Sequence, residues 1–259
     1  MIKALFFDID GTLVSFNTHE IPASTVAALE QAKKNGLKIC IATGRPIQIV
    51  TNIGAIEHLV DGMVTTNGAC CYSDKTECTA MTEHDVMSIV DNARHMNVML
   101  LVVGVNGLML CNPDKKLAEM LASMFNVTSI DTSDDISHLL RDGIVQITAF
   151  VTEDREAELL GDTTDCHGLR WYPAFVDINS AYADKAKGIE KMAGILGIDI
   201  SETMAFGDGG NDISMIRHAA IGVAMGNALP NVQKEADYVT DTVDNDGVAK
   251  ALKHFKLIE

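Results

Sequence analysis

The chain has 259 residues, enough for one large domain or two modest ones, and 47% of them are hydrophobic. Its formal net charge of −16 argues against nucleic acid or an anionic membrane surface as a partner, since both need a basic patch. No apolar run approaches the roughly 20 residues of a membrane span, and "MIKALFFDID" meets an acid too early for the apolar stretch of a signal peptide. Six cysteines, at 40, 70, 71, 78, 111 and 166, form no CxxC pair and no Cys/His zinc spacing, so all six read as structural residues. These features point to a reducing cytoplasm.

In chain order, "IKALFF" (2–7) is a short continuous apolar run, the pattern of a strand buried on both faces. "PASTVAALEQAKKNG" (22–36) reads as a helix: Val26, Leu29 and Ala32 repeat at a spacing of three, and Gly36 suits the residue after its end. A second strand follows at 37–44, a second helix at 45–59 and a third strand at 61–69. This β-α-β-α-β alternation predicts a parallel sheet with helices on both faces. The middle differs. Apolar stretches around "VNG" within 98–112 predict a hairpin, 145–151 and 169–179 read as strands, and 83–96 and 114–125 as helices. After residue 184 the alternation returns, with strands at 203–208, 221–226 and 237–241 between helices. The expected fold class is therefore α/β: a doubly wound parallel core, at 1–81 and 184–259, interrupted by an inserted α+β cap at 82–183.

Ligands of open parallel sheets bind beyond the carboxyl ends of the strands. The first strand is followed by Asp8 and Asp10, the second by Thr43, Gly44 and Arg45, the third by Asn67 and Gly68, and the 203–206 strand by "GDGGND", with Asp208, Asn211 and Asp212. Four polar or glycine-rich endings on one sheet edge are hard to read as turn chemistry. The residue types suit phosphoryl transfer. Asp8, Asp10 and Asp208 offer hard oxygen ligands for Mg²⁺, a carboxylate can act as nucleophile or as acid and base, and a hydroxyl such as that of Thr43 can hold phosphate oxygens. Lys185, at a helix start, offers a cation to neutralise developing charge, with Lys187 two residues on as a rival. Trp171, the single tryptophan, lies in the cap.

"DIDGTL" (8–13), "ATGR" (42–45), a lysine at 185 and "GDGGND" (207–212) resemble, in order and separation, the four motifs of the haloacid dehalogenase superfamily. The tail at 221–252 resembles its Cof-type branch, type IIB sugar-phosphate phosphatases with a large α/β cap. The resemblance implies Asp8 as nucleophile and Asp10 as acid-base, with Thr43, Gly44, Lys185 and Asn211 binding the phosphoryl group. It implies Mg²⁺ held by the Asp8 side chain, the Asp10 carbonyl and Asp208, with Asp212 behind them. Arg45, Asn67 and Trp171 stand as candidate substrate contacts. The expected function is Mg²⁺-dependent hydrolysis of a small phosphorylated metabolite, a sugar phosphate, by a cytoplasmic monomer or small homo-oligomer. The rivals are a phosphotransferase or mutase and, of another class, a non-catalytic phosphometabolite-binding module.

Overall fold

The computed structural model describes residues 1–125 and 130–259. The chain divides into two compact units, one formed by Met1–Gly44, Asn52–Glu77 and Asp184–Glu259, the other by Arg45–Thr51 and Cys78–Ala183.

The first unit opens with β1 (Ala4–Phe7), α1 (Ala23–Lys34), β2 (Lys38–Ala42), β3 (Gly62–Thr65), β4 (Cys70–Tyr72) and β5 (Thr76–Cys78). The second unit contributes α2 (Glu83–Met96), β6 (Leu100–Gly104), β7 (Leu108–Cys111), α3 (Lys115–Phe125), α4 (Ser137–Asp142), β8 (Ile144–Ala149), α5 (Glu153–Leu160), β9 (Cys166–Tyr172) and β10 (Phe175–Ser180). The chain then returns to the first unit with α6 (Lys185–Ile195), β11 (Thr203–Gly207), α7 (Ile213–His218), β12 (Ile221–Ala224), α8 (Pro230–Gln233), β13 (Tyr238–Val239) and α9 (Gly247–His254).

The larger sheet runs β13-β12-β11-β1-β2-β3-β4-β5. β1 is central and pairs in parallel with β11 and β2, in the registers Phe7↔Phe206 and Phe7↔Ile41. All four β1 residues are buried, as a strand covered on both faces must be. Ala4 and Phe6 join a cluster with Cys40, Val64, Ile189, Met192 and Met215, where α6 and α7 cover the sheet. On the other face the Phe7 and Phe206 rings stack with centroids 4.5 Å apart. The sheet is mixed rather than wholly parallel, because β4 turns back antiparallel to β3.

Two local expectations are corrected. The 45–59 segment holds only short 3₁₀ turns, at Ile47–Ile49 and Glu57–Leu59. Pro46 pins the start in an extended conformation, and Val50, Thr51 and Gly54 give a longer helix little support. The 169–179 stretch is two antiparallel strands, β9 and β10, rather than one, since the chain reverses after Tyr172, with Phe175 pairing back to it. Cys40, Cys71, Cys111 and Cys166 are free thiols, and Cys70 and Cys78 are disulfide-bonded. Among the described residues no helix is long and apolar enough to cross a membrane.

The smaller sheet, β7-β6-β8-β10-β9, is antiparallel in its β6·β7, β6·β8, β8·β10 and β9·β10 pairings. One face packs Leu100, Val102, Ile147 and Val176 against α2 and α5 residues such as Ile89, Val90 and Leu159. α2 begins at an N-cap where the Thr82 side chain accepts from the Asp85 amide.

Candidate active site

β1 ends where its ladder still continues, with the Asp8 amide donating to the Phe206 carbonyl at 3.0 Å. Asp8 is thereby fixed at the carboxyl edge of the central strand and is only 7% exposed. The next residues fold into a tight loop: the Val14 amide donates to the Ile9 carbonyl at 2.8 Å, and the Gly11 amide to the Val14 carbonyl at 2.9 Å. Ile9 points into the core and is fully buried. Gly11 has φ +85°, and a Cβ there would collide with the Asp208 carboxylate, so the loop approaches Asp208 at a distance only glycine allows.

Lys185 is the first residue of α6. The Asp184 side chain caps this helix by accepting from the Lys187 amide at 2.9 Å. That geometry turns the two lysines apart. The Lys185 ammonium is buried and donates to Asp8 Oδ1 at 2.6 Å and to Asp212 Oδ1 at 2.5 Å. Lys187 keeps half its side chain in solvent, 3.6 Å from the Asp184 carboxylate.

The loop after β11 is built on Asp212. Its Oδ2 accepts from the amides of Asp208 at 2.9 Å and Gly209 at 2.8 Å. With Oδ1 taken by Lys185, both its oxygens are committed, and Asp212 serves to hold the loop and the ammonium. Asp208 is held by Thr12, whose hydroxyl donates to Oδ1 at 2.8 Å. Oxygens of Asp8, Asp208 and Asp212 lie within 4.8 Å of one another.

Three carboxylates facing one ammonium leave an excess of negative charge. Burial raises Asp8 well above the ordinary carboxylate range, and the Asp212 charge reinforces this against the pull of Lys185. Burial followed by Asp212 pushes Asp208 up to about 7, with the Thr12 hydrogen bond opposing. For Lys185, burial alone would favour the neutral amine, but the charges of Asp212 and Asp8 outweigh it and hold the ammonium above its ordinary value. Carboxylates perturbed upward in this way call for a cation, and their hard oxygens suit Mg²⁺. Asp8 and Asp208 are the side chains that fit that role, given the commitments of Asp212.

On the neighbouring strand ends, the Thr43 amide donates to the Val64 carbonyl at 2.8 Å, and the Asn67 amide donates to the Thr43 carbonyl at 3.1 Å. Asn211 Nδ2 donates to Asn67 Oδ1 at 3.0 Å. A Cβ on Gly44 would lie 2.9 Å from Asn67 Oδ1 and 3.4 Å from Asn211 Nδ2, so Thr43, Gly44, Asn67 and Asn211 form one contiguous patch. Asp10 lies in the loop next to Asp8, and its charge is felt by both Asp8 and Asp208. Arg45 belongs to the second unit, where its guanidinium donates to the Ile49 carbonyl at 3.3 Å. The Trp171 side chain lies outside the described residues. Two contributors were not singled out from sequence: Thr12, which holds Asp208, and Asn227, which donates to the Gly11 carbonyl at 2.8 Å. Thr12 directly follows the two acids and Gly11 in the "DIDGT" run, but nothing in a spacing announces a partner 196 residues away.

The chain shares 44% identity and a TM-score of 0.92 with the subclass IIB sugar phosphatase BT4131, over 99% of this chain and all of that one. It shares 37% identity and a TM-score of 0.88 with BT1666 of Bacteroides thetaiotaomicron, described among phosphatases of the same superfamily, over 100% and 96% of the two chains. The 5-amino-6-(5-phospho-D-ribitylamino)uracil phosphatase YcsE of Bacillus subtilis is 28% identical over 99% of this chain and 96% of its own. Residues 5–252, nearly the whole chain, match the family of haloacid dehalogenase-like hydrolases. The chain belongs to that family.

Proposed function

We propose that the protein is a Mg²⁺-dependent phosphatase that hydrolyses a small sugar phosphate through a phosphorylated Asp8. The observation that carries this reading is the ion cluster: buried Asp8 and Asp212 and half-buried Asp208 around the ammonium of Lys185, at the sheet edge where such folds bind ligands. A nucleophilic carboxylate must be kept ionised despite burial, and Lys185 at 2.6 Å favours that form.

In this reading Asp8 attacks phosphorus and the ester oxygen departs with a proton from Asp10. Asp10 then takes a proton from the water that attacks the phosphorylated Asp8, releasing phosphate and restoring the carboxylate. Thr43, the Gly44 backbone and Asn211 bind the phosphoryl oxygens, and Lys185 balances their charge. Asp8, the Asp10 carbonyl and Asp208 would hold Mg²⁺, which supplies charge neutralisation for the phosphoryl oxygens when bound. Asp212 positions Lys185 and the Asp208–Gly209 amides.

The sugar phosphate is favoured as substrate by the likeness to BT4131, described as a sugar phosphatase. The test is a panel of phosphorylated metabolites ranked by kcat/KM with Mg²⁺ present. Hexose and pentose phosphates are expected to lead the ranking with steady phosphate release. A requirement for a bisphosphate activator, or transfer to a second hydroxyl without phosphate release, would favour the mutase. No turnover of any phosphate ester would leave the non-catalytic binding module.

A further inference from the structure

The turn that follows β3 has an unusual backbone. Thr66, Asn67 and Gly68 have φ of +49°, +52° and +96°, three successive residues in the left-handed region. Asparagine tolerates that region, but a β-branched threonine does not. The turn is also fully interior, with Thr66 at 2% and Asn67 at 0% exposure. A strained conformation persists only where surrounding contacts hold it, and such conformations gather at functional sites.

The contacts made by these residues reach the phosphate-handling elements from three sides. The Asn67 amide donates to the carbonyl of Thr43, and the Asn67 side chain accepts from Asn211. Gly68 packs against the start of α6 so closely that a Cβ there would overlap the Asp184 carbonyl and lie 3.0 Å from the Lys185 amide. Extended or right-handed φ at these residues would carry the Asn67 side chain and the Gly68 α-carbon away from one or more of those partners.

We infer that the left-handed turn 66–68 sets the relative placement of the Thr43–Gly44 loop, Asn211 and the Lys185 end of α6, and that Asn67 is a positioning residue acting through Asn211. The inference rests on the phosphatase reading for its kinetic readout. Asn67 orients Asn211 by accepting a hydrogen bond from one of its N–H groups, which fixes the amide plane and leaves the second N–H to donate to a phosphoryl oxygen.

The test uses Asn67→Gly, which keeps the left-handed backbone accessible and deletes the amide, together with Asn211→Ala and the double variant, all assayed with Mg²⁺. Asn67→Gly is expected to raise KM about tenfold, the worth of one hydrogen bond in a binding site, with kcat changed less than about threefold and an unchanged or higher melting temperature. Adding it to Asn211→Ala is expected to change KM by no more than about twofold, because the two act as one unit. A KM change below about threefold, a melting temperature lowered by more than about 5 °C, or multiplicative effects in the double variant would overturn the inference. Titration of inorganic phosphate into the Mg²⁺-loaded protein gives the same comparison without turnover. Absent catalysis with phosphate affinity weakened about tenfold by Asn67→Gly would sink the phosphatase reading and leave the positioning role standing. Equal phosphate affinity in parent and variant would sink the positioning role.

Discussion

In the second unit, the buried carboxylates find their partners within the unit. The Asp85 carboxylate, fully buried at the start of α2, accepts from the amides of Thr164 at 3.1 Å and Asp165 at 2.9 Å. Burial pushes it up, but those amides and His84 outweigh burial and hold it below the ordinary range. On β8 and β10, Thr148 donates to Asp177 at 2.6 Å, and Asn179 donates to the Val145 carbonyl at 3.0 Å. In the first unit, buried Asp8 and half-buried Asp208 have too little positive charge beside them and are pushed upward. A buried charge that is paired locally serves the fold, whereas one left in excess implies an exogenous partner.

The largest expected effects fall on the unbalanced side. Lys185→Ala removes the ammonium shared by Asp8 and Asp212, so kcat/KM should fall about 10³-fold and stability by about 3–5 kcal/mol. The control is Lys187→Ala, whose solvated pair with Asp184 is worth no more than about 0.5 kcal/mol. Loss of activity in Lys187→Ala with Lys185→Ala active would reverse the assignment of the two lysines.

Asp85→Ala tests the paired side. It removes the carboxylate acceptor of the Thr164 and Asp165 amides and should lower stability by about 1–2 kcal/mol, read as a shift in urea midpoint, with kcat per folded molecule unchanged. A fall in kcat at full folding would show that buried charge in this unit also serves the reaction.

The pH dependence separates the two sides further. Asp208 titrates near 7 in the folded metal-free protein against an ordinary value of 3.8. Its folded form therefore binds a proton more readily than the unfolded chain. The resulting stability is complete below about pH 4 and is lost as pH rises through about 7. Mg²⁺ should thus raise the melting temperature by a few degrees at about pH 8 and by less at about pH 5. An equal rise at both would contradict an acid-rich cation site.

Much of the core was legible because its signals are local. A buried strand shows as a continuous apolar run, and the residues just past it are the sheet-edge residues, which is how Asp8, Thr43, Asn67 and Asp208 could be named together. Pairings across the chain were not legible. Nothing near Thr12 announces Asp208, and nothing near Asn67 announces Asn211, because sheet order rather than spacing brings them together. The left-handed Thr66 was invisible for a different reason: the conformation opposes the residue's own preference. In the second unit, Pro173 and Ala174 sit inside a continuous strand-like run, although the chain reverses there. Arg45 sits one residue past Gly44, yet the fold assigns it to the other unit.

The measurement that bears most directly on the central claim is phosphate release by Asp8→Asn with Mg²⁺ and the best substrate of the metabolite panel. The variant keeps the shape of the site, removes the carboxylate proposed as nucleophile and leaves Lys185 paired with Asp212. The expected result is a loss of about 10⁴-fold or more in kcat with a folded, thermally stable protein. Turnover within about tenfold of the parent would contradict it.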